Sequence, residues 1–191
     1  MVNLTRIYTR TGDQGITRLA NNVLVPKSDP RLEAYGSVDE ANAAIGVALT
    51  LGDPDPRFKE VLVLVQNDLF DVGADLSTPL DTSNPALRVQ PEWVERLEGW
   101  CDEFSASLPP LRSFLLPGGT PLSACLNLAR TIVRRAERGA WWAAESVEIS
   151  KVAIQYLNRL SDLLFILGRY ANLQAGCDEV LWVPADSDKR G

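Results

Sequence analysis

The chain has 191 residues, 46% of them apolar, with 19 basic side chains, 25 acidic ones and no histidine. That length suits one domain, and a net charge of −6 with a pI near 4.8 excludes broad nucleic-acid binding, which needs a basic surface. Without histidine, Ser-His-Asp and Cys-His catalytic sets, HExxH zinc sites and Glu-x-x-His di-iron bundles are excluded too, so any chemistry must run on charge, positioning and a bound cofactor.

No apolar run reaches the roughly 20 residues that span a bilayer. The opening MVNLTRIYTRTGDQG lacks the apolar stretch of a secretory signal. Cys101, Cys125 and Cys177 stand far apart with no CxxC pair, which reads as reduced thiols in a cytoplasmic protein.

Residues 1–30 carry glycine, threonine and basic side chains with little helical period, and are expected to form an extended loop or hairpin. In TRTGDQGITRL, Gly12 and Gly15 allow backbone amides to converge on an anion. Thr9, Thr11 and Thr17 add hydroxyls, and Arg10, Arg18 and Lys27 add charge. The GK[ST] of a Walker A loop is missing, and a plain turn explains the segment as well.

From about residue 31 the pattern turns helical. Ser37-Val-Asp-Glu40 has the form of a capping box, with Asp39 placed to favour a helix N-terminus. Phe58 to Asp75 reads as a second, strongly apolar helix, residues 77–90 as a polar loop, and Pro91 to Phe104 as a third helix with Trp93, Val94, Leu97 and Trp100 at helical spacing. FLLPGGTP follows, with Thr120 suited to N-cap and Pro121 to N1 of a long helix to about Ala144. A fifth helix runs from about Ser150 to Gln174 and ends at Gly176. Five helices with short connections indicate an all-α bundle.

The fourth helix holds TIVRRAER, preceded by Arg130. At about 100° per residue, Arg134 lies about 40° and Glu137 about −20° from Arg130, on the border of the stripe of Leu122, Leu126, Ala129, Val133, Ala136 and Ala140. Arg138 sits further round and Arg135 points toward solvent. Two arginines at a core edge, oriented by a glutamate, make an anion clamp; a solvated face with internal ion pairs is the plainer reading. On the fifth helix Asn158, Asp162, Phe165 and Arg169 share one side, opposite Leu157, Leu160, Leu163, Leu164 and Leu167. A polar stripe on such a helix needs partners in the bundle, at a subunit contact or at a ligand.

Taken together, IYTRTGDQGITRL, DPRLEAYGSVDEANAAIG, LFDVGADL, FLLPGGTPLSACLNLARTIVRRAER and YLNRLSDLLFILGRYAN resemble the PduO-type ATP:cob(I)alamin adenosyltransferases, in order across nearly the whole chain. The resemblance implies a homotrimer of five-helix bundles with active sites between subunits. It implies one domain over 1–191, made of a nucleotide-binding loop segment (1–30), a helical bundle (31–176) and a C-terminal tail (177–191). ATP with Mg2+ and cobalamin are the implied substrates, with the metal-holding residues left open. A flavoprotein or other reductase and an adenosylcobalamin-dependent enzyme are the further implied partners, with neither nucleic acid nor membrane among them.

Residue by residue, Thr9, Arg10, Thr11, Gly12, Thr17, Arg18 and Lys27 match the family's ATP-binding segment. Arg130, Arg134, Glu137 and Asn158 match its nucleotide and triphosphate contacts. Asp39 matches an acid that pairs with Arg130 across the subunit interface, and Phe114 and Phe165 match aromatics beside the corrin ring. Gln14, Asn127 and the tail depart from many members. The implied reaction needs no histidine. Co(I) attacks C5′ of ATP and expels triphosphate, so the protein must align the reactants and stabilise the leaving group. Phe114 is expected to exclude the lower axial ligand and ease reduction of Co(II); the plainer reading has it plug the bundle end. A non-catalytic ATP or corrinoid sensor or carrier, and a purely structural oligomer, are the alternatives.

Overall fold

The computed structural model describes residues 8, 10–80 and 86–185. A short antiparallel hairpin, β1 (Ile16–Arg18) and β2 (Leu24–Pro26), pairs Thr17 with Val25. Among the described residues, five helices follow: α1 (Pro30–Gly52), α2 (Pro56–Ser77), α3 (Pro91–Ser105), α4 (Pro121–Ala143) and α5 (Lys151–Gln174).

The helix starts follow local chemistry. Proline opens α1 to α4, where its fixed φ suits the first turn and its missing N–H costs nothing. Asp29, Asp55, Thr120 and Ser150 cap α1, α2, α4 and α5, each accepting a hydrogen bond from a first-turn amide at 2.8–3.3 Å. The expected box at Ser37–Glu40 is therefore not a helix start. Asp29 with Pro30 is the stronger signal, and Ser37 lies buried in the second turn of α1. The same correction removes the helix-terminus role for Asp39, which stands well inside α1. At the other end of α2, Arg31 donates to the Leu76 carbonyl at 2.7 Å, and Arg88 donates to the carbonyls of Asp75, Thr78 and Pro79 at 2.7–3.0 Å. Those cations satisfy carbonyls that a helix terminus leaves open.

Packing order differs from chain order: α4 lies against α1 and α5, α1 also against α2, and α3 against α5. The stripe of α4 from Leu122 to Ala140 is buried, as are the five leucines of α5. Small residues let the central helices approach closely. A Cβ at Gly139 of α4 would lie 3.4 Å from Ala34 Cα of α1. On the outer side, Tyr156 of α5 donates to Asp68 of α2 at 2.8 Å, and Arg96 of α3 donates to the same carboxylate oxygen at 2.5 Å. This network joins three helices. Burial, then Asp68, pushes the Tyr156 hydroxyl well above its ordinary pKa.

Candidate active site

Arg130 stands at the edge of the α4 core stripe, with its guanidinium 5.9 Å from the centroid of Phe165 on α5. Its Nε is buried with no hydrogen-bond partner. Burial first, then the neighbouring Arg134, pushes its pKa below the ordinary arginine value. Arg134 is exposed one turn further along. Glu137 accepts from Asn158 Nδ2 at 3.0 Å, which ties α4 to α5 at this point. Arg130, Arg134, Glu137, Asn158 and Phe165 thus form one patch across the α4–α5 seam, as the helical spacing requires. Its positive charge is not neutralised by an acid on Arg130 among the described residues. Arg130 is thus a partly buried cation, unpartnered at Nε and beside a second cation, with no counter-charge among the described residues.

The other basic residues of α4 take different partners. Arg135, expected to face solvent, is exposed but pairs with Glu40 of α1. Arg138 donates to the Arg134 carbonyl at 3.1 Å.

The polar stripe of α5 divides. Asp162 pairs with Arg159 in the preceding turn at 3.0 Å. Arg169 is buried and turns to the tail. Its Nε and Nη2 donate to the two oxygens of Glu179 at 2.6 and 3.0 Å, and Nη2 donates to the Pro109 carbonyl at 2.8 Å. Sequence reasoning missed Asn172 on this face, although helix geometry places it only about 40° from Asn158. Its Oδ1 accepts from the Thr120 amide at 2.9 Å and its Nδ2 donates to the Gly118 carbonyl at 3.2 Å. Gly119 has φ +94°, and a Cβ there would fall 2.3 Å from Asn172 Oδ1. The PGG turn can therefore pass α5 this closely only with glycine.

Phe114 precedes that turn and is 79% exposed, which overturns the reading of it as a plug of the bundle end. Its ring meets Trp182 edge-on, centroids 6.1 Å apart. Behind it a cavity of about 140 Å³ is lined by Leu116, Gly119, Asn127, Phe165 and Asn172, among others.

The second group lies on α1, α2 and the hairpin. A cleft of about 440 Å³ is lined by Arg18, Tyr35, Asp39, Asn42, Phe70 and Ser77, among others. Arg18 donates to the Asn22 carbonyl at 2.9 Å, and the Thr17 backbone sits in the hairpin ladder. Lys27 returns over the glycine turn: a Cβ on Gly12 would lie 2.9 Å from Lys27 Nζ. The Gly15 amide bonds to the Gly12 carbonyl at 3.2 Å, so it serves the turn. That leaves the expected convergence of both glycine amides unsupported. Arg10, at φ 62°, places its guanidinium 5.6 Å from the Tyr8 ring centroid, and Thr11 is exposed. Thr9 lies outside the described residues. Asp39 and Arg130 form no ion pair among the described residues, and the cleft around Asp39 shares no lining residue with the cavity beside Phe165.

The family model described as cobalamin adenosyltransferase matches residues 7–171. The corrinoid adenosyltransferase of Mycobacterium tuberculosis (strain H37Rv) is 57% identical over 187 residues, covering 96% of this chain and 95% of that one. The Bacillus subtilis corrinoid adenosyltransferase is 39% identical, covering 92% of this chain and 91% of the relative. Among solved structures, a phenylalanine-to-alanine variant of the PduO-type ATP:corrinoid adenosyltransferase from Lactobacillus reuteri, complexed with cobalamin and ATP, superposes with a TM-score of 0.88 at 36% identity. The match covers 93% of this chain and 99% of that one. An arginine-to-lysine variant of the same enzyme complexed with ATP gives 0.86 at 36% identity, covering 93% and 100%. The five-helix chain therefore shares its overall fold with both solved structures over 93% of its length.

Proposed function

The chain belongs to the cobalamin adenosyltransferase family, and we propose that it transfers the 5′-deoxyadenosyl group of ATP to the cobalt of cob(I)alamin. The Co–C5′ bond forms with the electron pair of Co(I). The C5′–O bond breaks, and its electron pair leaves on triphosphate. The products are adenosylcobalamin and triphosphate. Nothing in this step requires a proton to be taken from a protein group, which accords with a chain lacking histidine. The chain's task is to align the two substrates and to stabilise charge on the leaving group.

The observation that carries this reading is the α4–α5 patch, where Arg130 is partly buried, unpaired at Nε and adjacent to Arg134. Its charge suits a triphosphate. Arg134, exposed and with three rigid nitrogens, is the side chain assigned to the leaving group, while Glu137, held by Asn158, orients the nucleotide with its accompanying Mg2+. Thr9, Arg10, Thr11, Gly12, Thr17, Arg18 and Lys27 are assigned to ATP. Phe114 and Phe165 are assigned to the corrin, Phe114 as an apolar wall that excludes the lower axial ligand.

Asp39 and Arg130 belong to separate groups within one chain, so a site that joins them takes Asp39 from a neighbouring copy. That fits sites between subunits, and the proposal takes the assembly as a homotrimer of a one-domain chain acting in the cytoplasm. None of the described helices is long and apolar enough to cross a membrane. A reductase supplies the electron for Co(II), and an adenosylcobalamin-dependent enzyme takes the product.

The visible spectrum of chemically reduced cobalamin tests the reading. With this protein and Mg-ATP it should convert to the spectrum of adenosylcobalamin with release of stoichiometric triphosphate. Binding of both substrates without that conversion would leave a sensor or carrier in place of the enzyme.

A further inference from the structure

We propose that Trp182 and the Arg169–Glu179 pair are positioning residues for Phe114: the tail holds that exposed ring in the place where it meets the corrin. The inference rests on the reading of Phe114 given above.

An exposed aromatic on a loop has both backbone and rotamer freedom, and a wall that must keep a ligand out cannot use that freedom. The segment around Phe114 has lost it on two sides. On the bundle side, Asn172 binds the Thr120 amide and the Gly118 carbonyl. On the outer side, the tail adds a strand-like pairing: the Leu116 amide donates to the Val180 carbonyl and the Trp182 amide to the Phe114 carbonyl, both at 2.8 Å. Ser113 Oγ donates to the Trp182 carbonyl at 3.1 Å. The Trp182 ring then stands edge-on to Phe114 at an interplanar angle of 73°.

A tail past the last helix frays unless something ties it down. Here the tie is a charge pair at the bundle surface. Arg169, 8% exposed, grips both oxygens of Glu179 two-pronged, and the Cys177 amide bonds the Asn172 carbonyl at 2.9 Å. Arg169 and Asn172 belong to the same face of α5 as Phe165. One helix therefore carries a corrin-side aromatic and the two anchors that place the other.

The test uses four variants of the full chain: Phe114→Ala as reference, Trp182→Ala, Trp182→Phe and Glu179→Gln. Three measurements are taken. Electron paramagnetic resonance of Co(II)alamin with Mg-ATP reads the four-coordinate state. Turnover is compared when started from Co(II), with a reduced flavin as one-electron donor, and from pre-reduced Co(I). Hydrogen exchange of the Leu116 and Trp182 amides is followed in the unliganded protein.

Trp182→Ala and Glu179→Gln should weaken the four-coordinate signal and lower Co(II)-started turnover by about threefold to tenfold, the size of one aromatic pair. Co(I)-started turnover should stay within about twofold, a split that loss of folded protein does not produce. Trp182→Phe should restore the signal, and Glu179→Gln should speed exchange at both amides. Should Trp182→Ala fail to fold, Glu179→Gln and Trp182→Phe carry the same comparison. Parental signals in Trp182→Ala and Glu179→Gln, beside a lost signal in Phe114→Ala, would overturn the inference and leave the Phe114 reading standing. So would an equal fall of both activities in step with the folded fraction. A parental signal in Phe114→Ala would remove the Phe114 reading, and this inference with it.

Discussion

Arg96 and Arg130 both stand over aromatic rings, and among the described residues both have a buried Nε without a partner. Arg96 lies 5.9 and 5.4 Å from the ring centroids of Trp93 and Trp100, and Arg130 lies 5.9 Å from that of Phe165. The difference is the acid. Arg96 is paired at 2.5 Å with Asp68, whose carboxylate also accepts from the fully buried Tyr156. Arg130 has Arg134 as its charged neighbour instead. The first arrangement has its counter-charge within one chain and joins α2, α3 and α5. The second has no carboxylate among the described residues, which is the opening that the proposed triphosphate would fill. Burial of an arginine against a ring is thus by itself no mark of function.

The largest effect should come from breaking the complete arrangement. Asp68→Ala leaves the half-buried Arg96 without its acid and the Tyr156 hydroxyl buried and unsatisfied, and should cost about 3–5 kcal/mol in a denaturant titration. Turnover per folded molecule should stay near the parental value. A large loss of turnover with unchanged stability would reverse the assignment of the two arginines.

Arg134→Ala attacks the incomplete arrangement. Its side chain is exposed, so the thermal midpoint should hardly move, while turnover falls by about 100- to 1,000-fold, as for removal of one donor at a developing anion. Steady-state kinetics with a parallel melting curve checks both halves, and near-normal turnover would remove the clamp.

A smaller effect separates the two ways Arg130 can be completed. If Asp39 of a neighbouring copy faces it, Asp39→Asn, Arg130→Gln and the double variant should show a coupling energy of about 0.5–3 kcal/mol in corrinoid affinity. Partial repair by an Asp39→Arg, Arg130→Asp swap would agree. Additive losses would leave triphosphate as the sole counter-charge of Arg130.

The smallest effect is a probe of the structural half. Cys101 sits in α3 one residue past Trp100, and burial first, then Asp162, pushes its thiol up to about 11. Since the thiolate is the reactive form, iodoacetamide should modify Cys101 slowly at pH 8 and faster as pH rises toward 11. Asp68→Ala should speed that reaction by loosening α3, and Arg134→Ala should not. Mass mapping of the modified peptides reads the difference.

Much of this architecture was legible from local pattern. The five helices, the Thr120 cap, the leucine side of α5 and the Arg130/Arg134/Glu137 wedge all follow from the period of an α-helix and from capping chemistry, which act within a few residues. Ser37-Val-Asp-Glu40 misled because the same four residues satisfy a capping pattern and a helix interior equally well; Asp29 and Pro30, seven residues earlier, offer a start that leaves Ser37 to be buried. Phe114 was placed correctly as a residue before the PGG turn, but exposure depends on what packs around a loop, and periodicity does not reach there.

What the amino-acid order determined by itself is therefore the helix set, the face each helix buries and the exclusion of histidine chemistry. Only the tertiary structure decided which charges meet. Arg169 to Glu179 spans ten residues, Arg96 to Asp68 twenty-eight, and Arg135 to Glu40 ninety-five. An ion pair depends on a few ångströms in space, and separation along the chain carries no such distance. Arg130, Arg135 and Arg169 look alike in sequence as basic residues of amphipathic helices. The packing of α4 between α1 and α5 leaves one of them beside an acid of α1, one locked to the tail and one without an acid among the described residues.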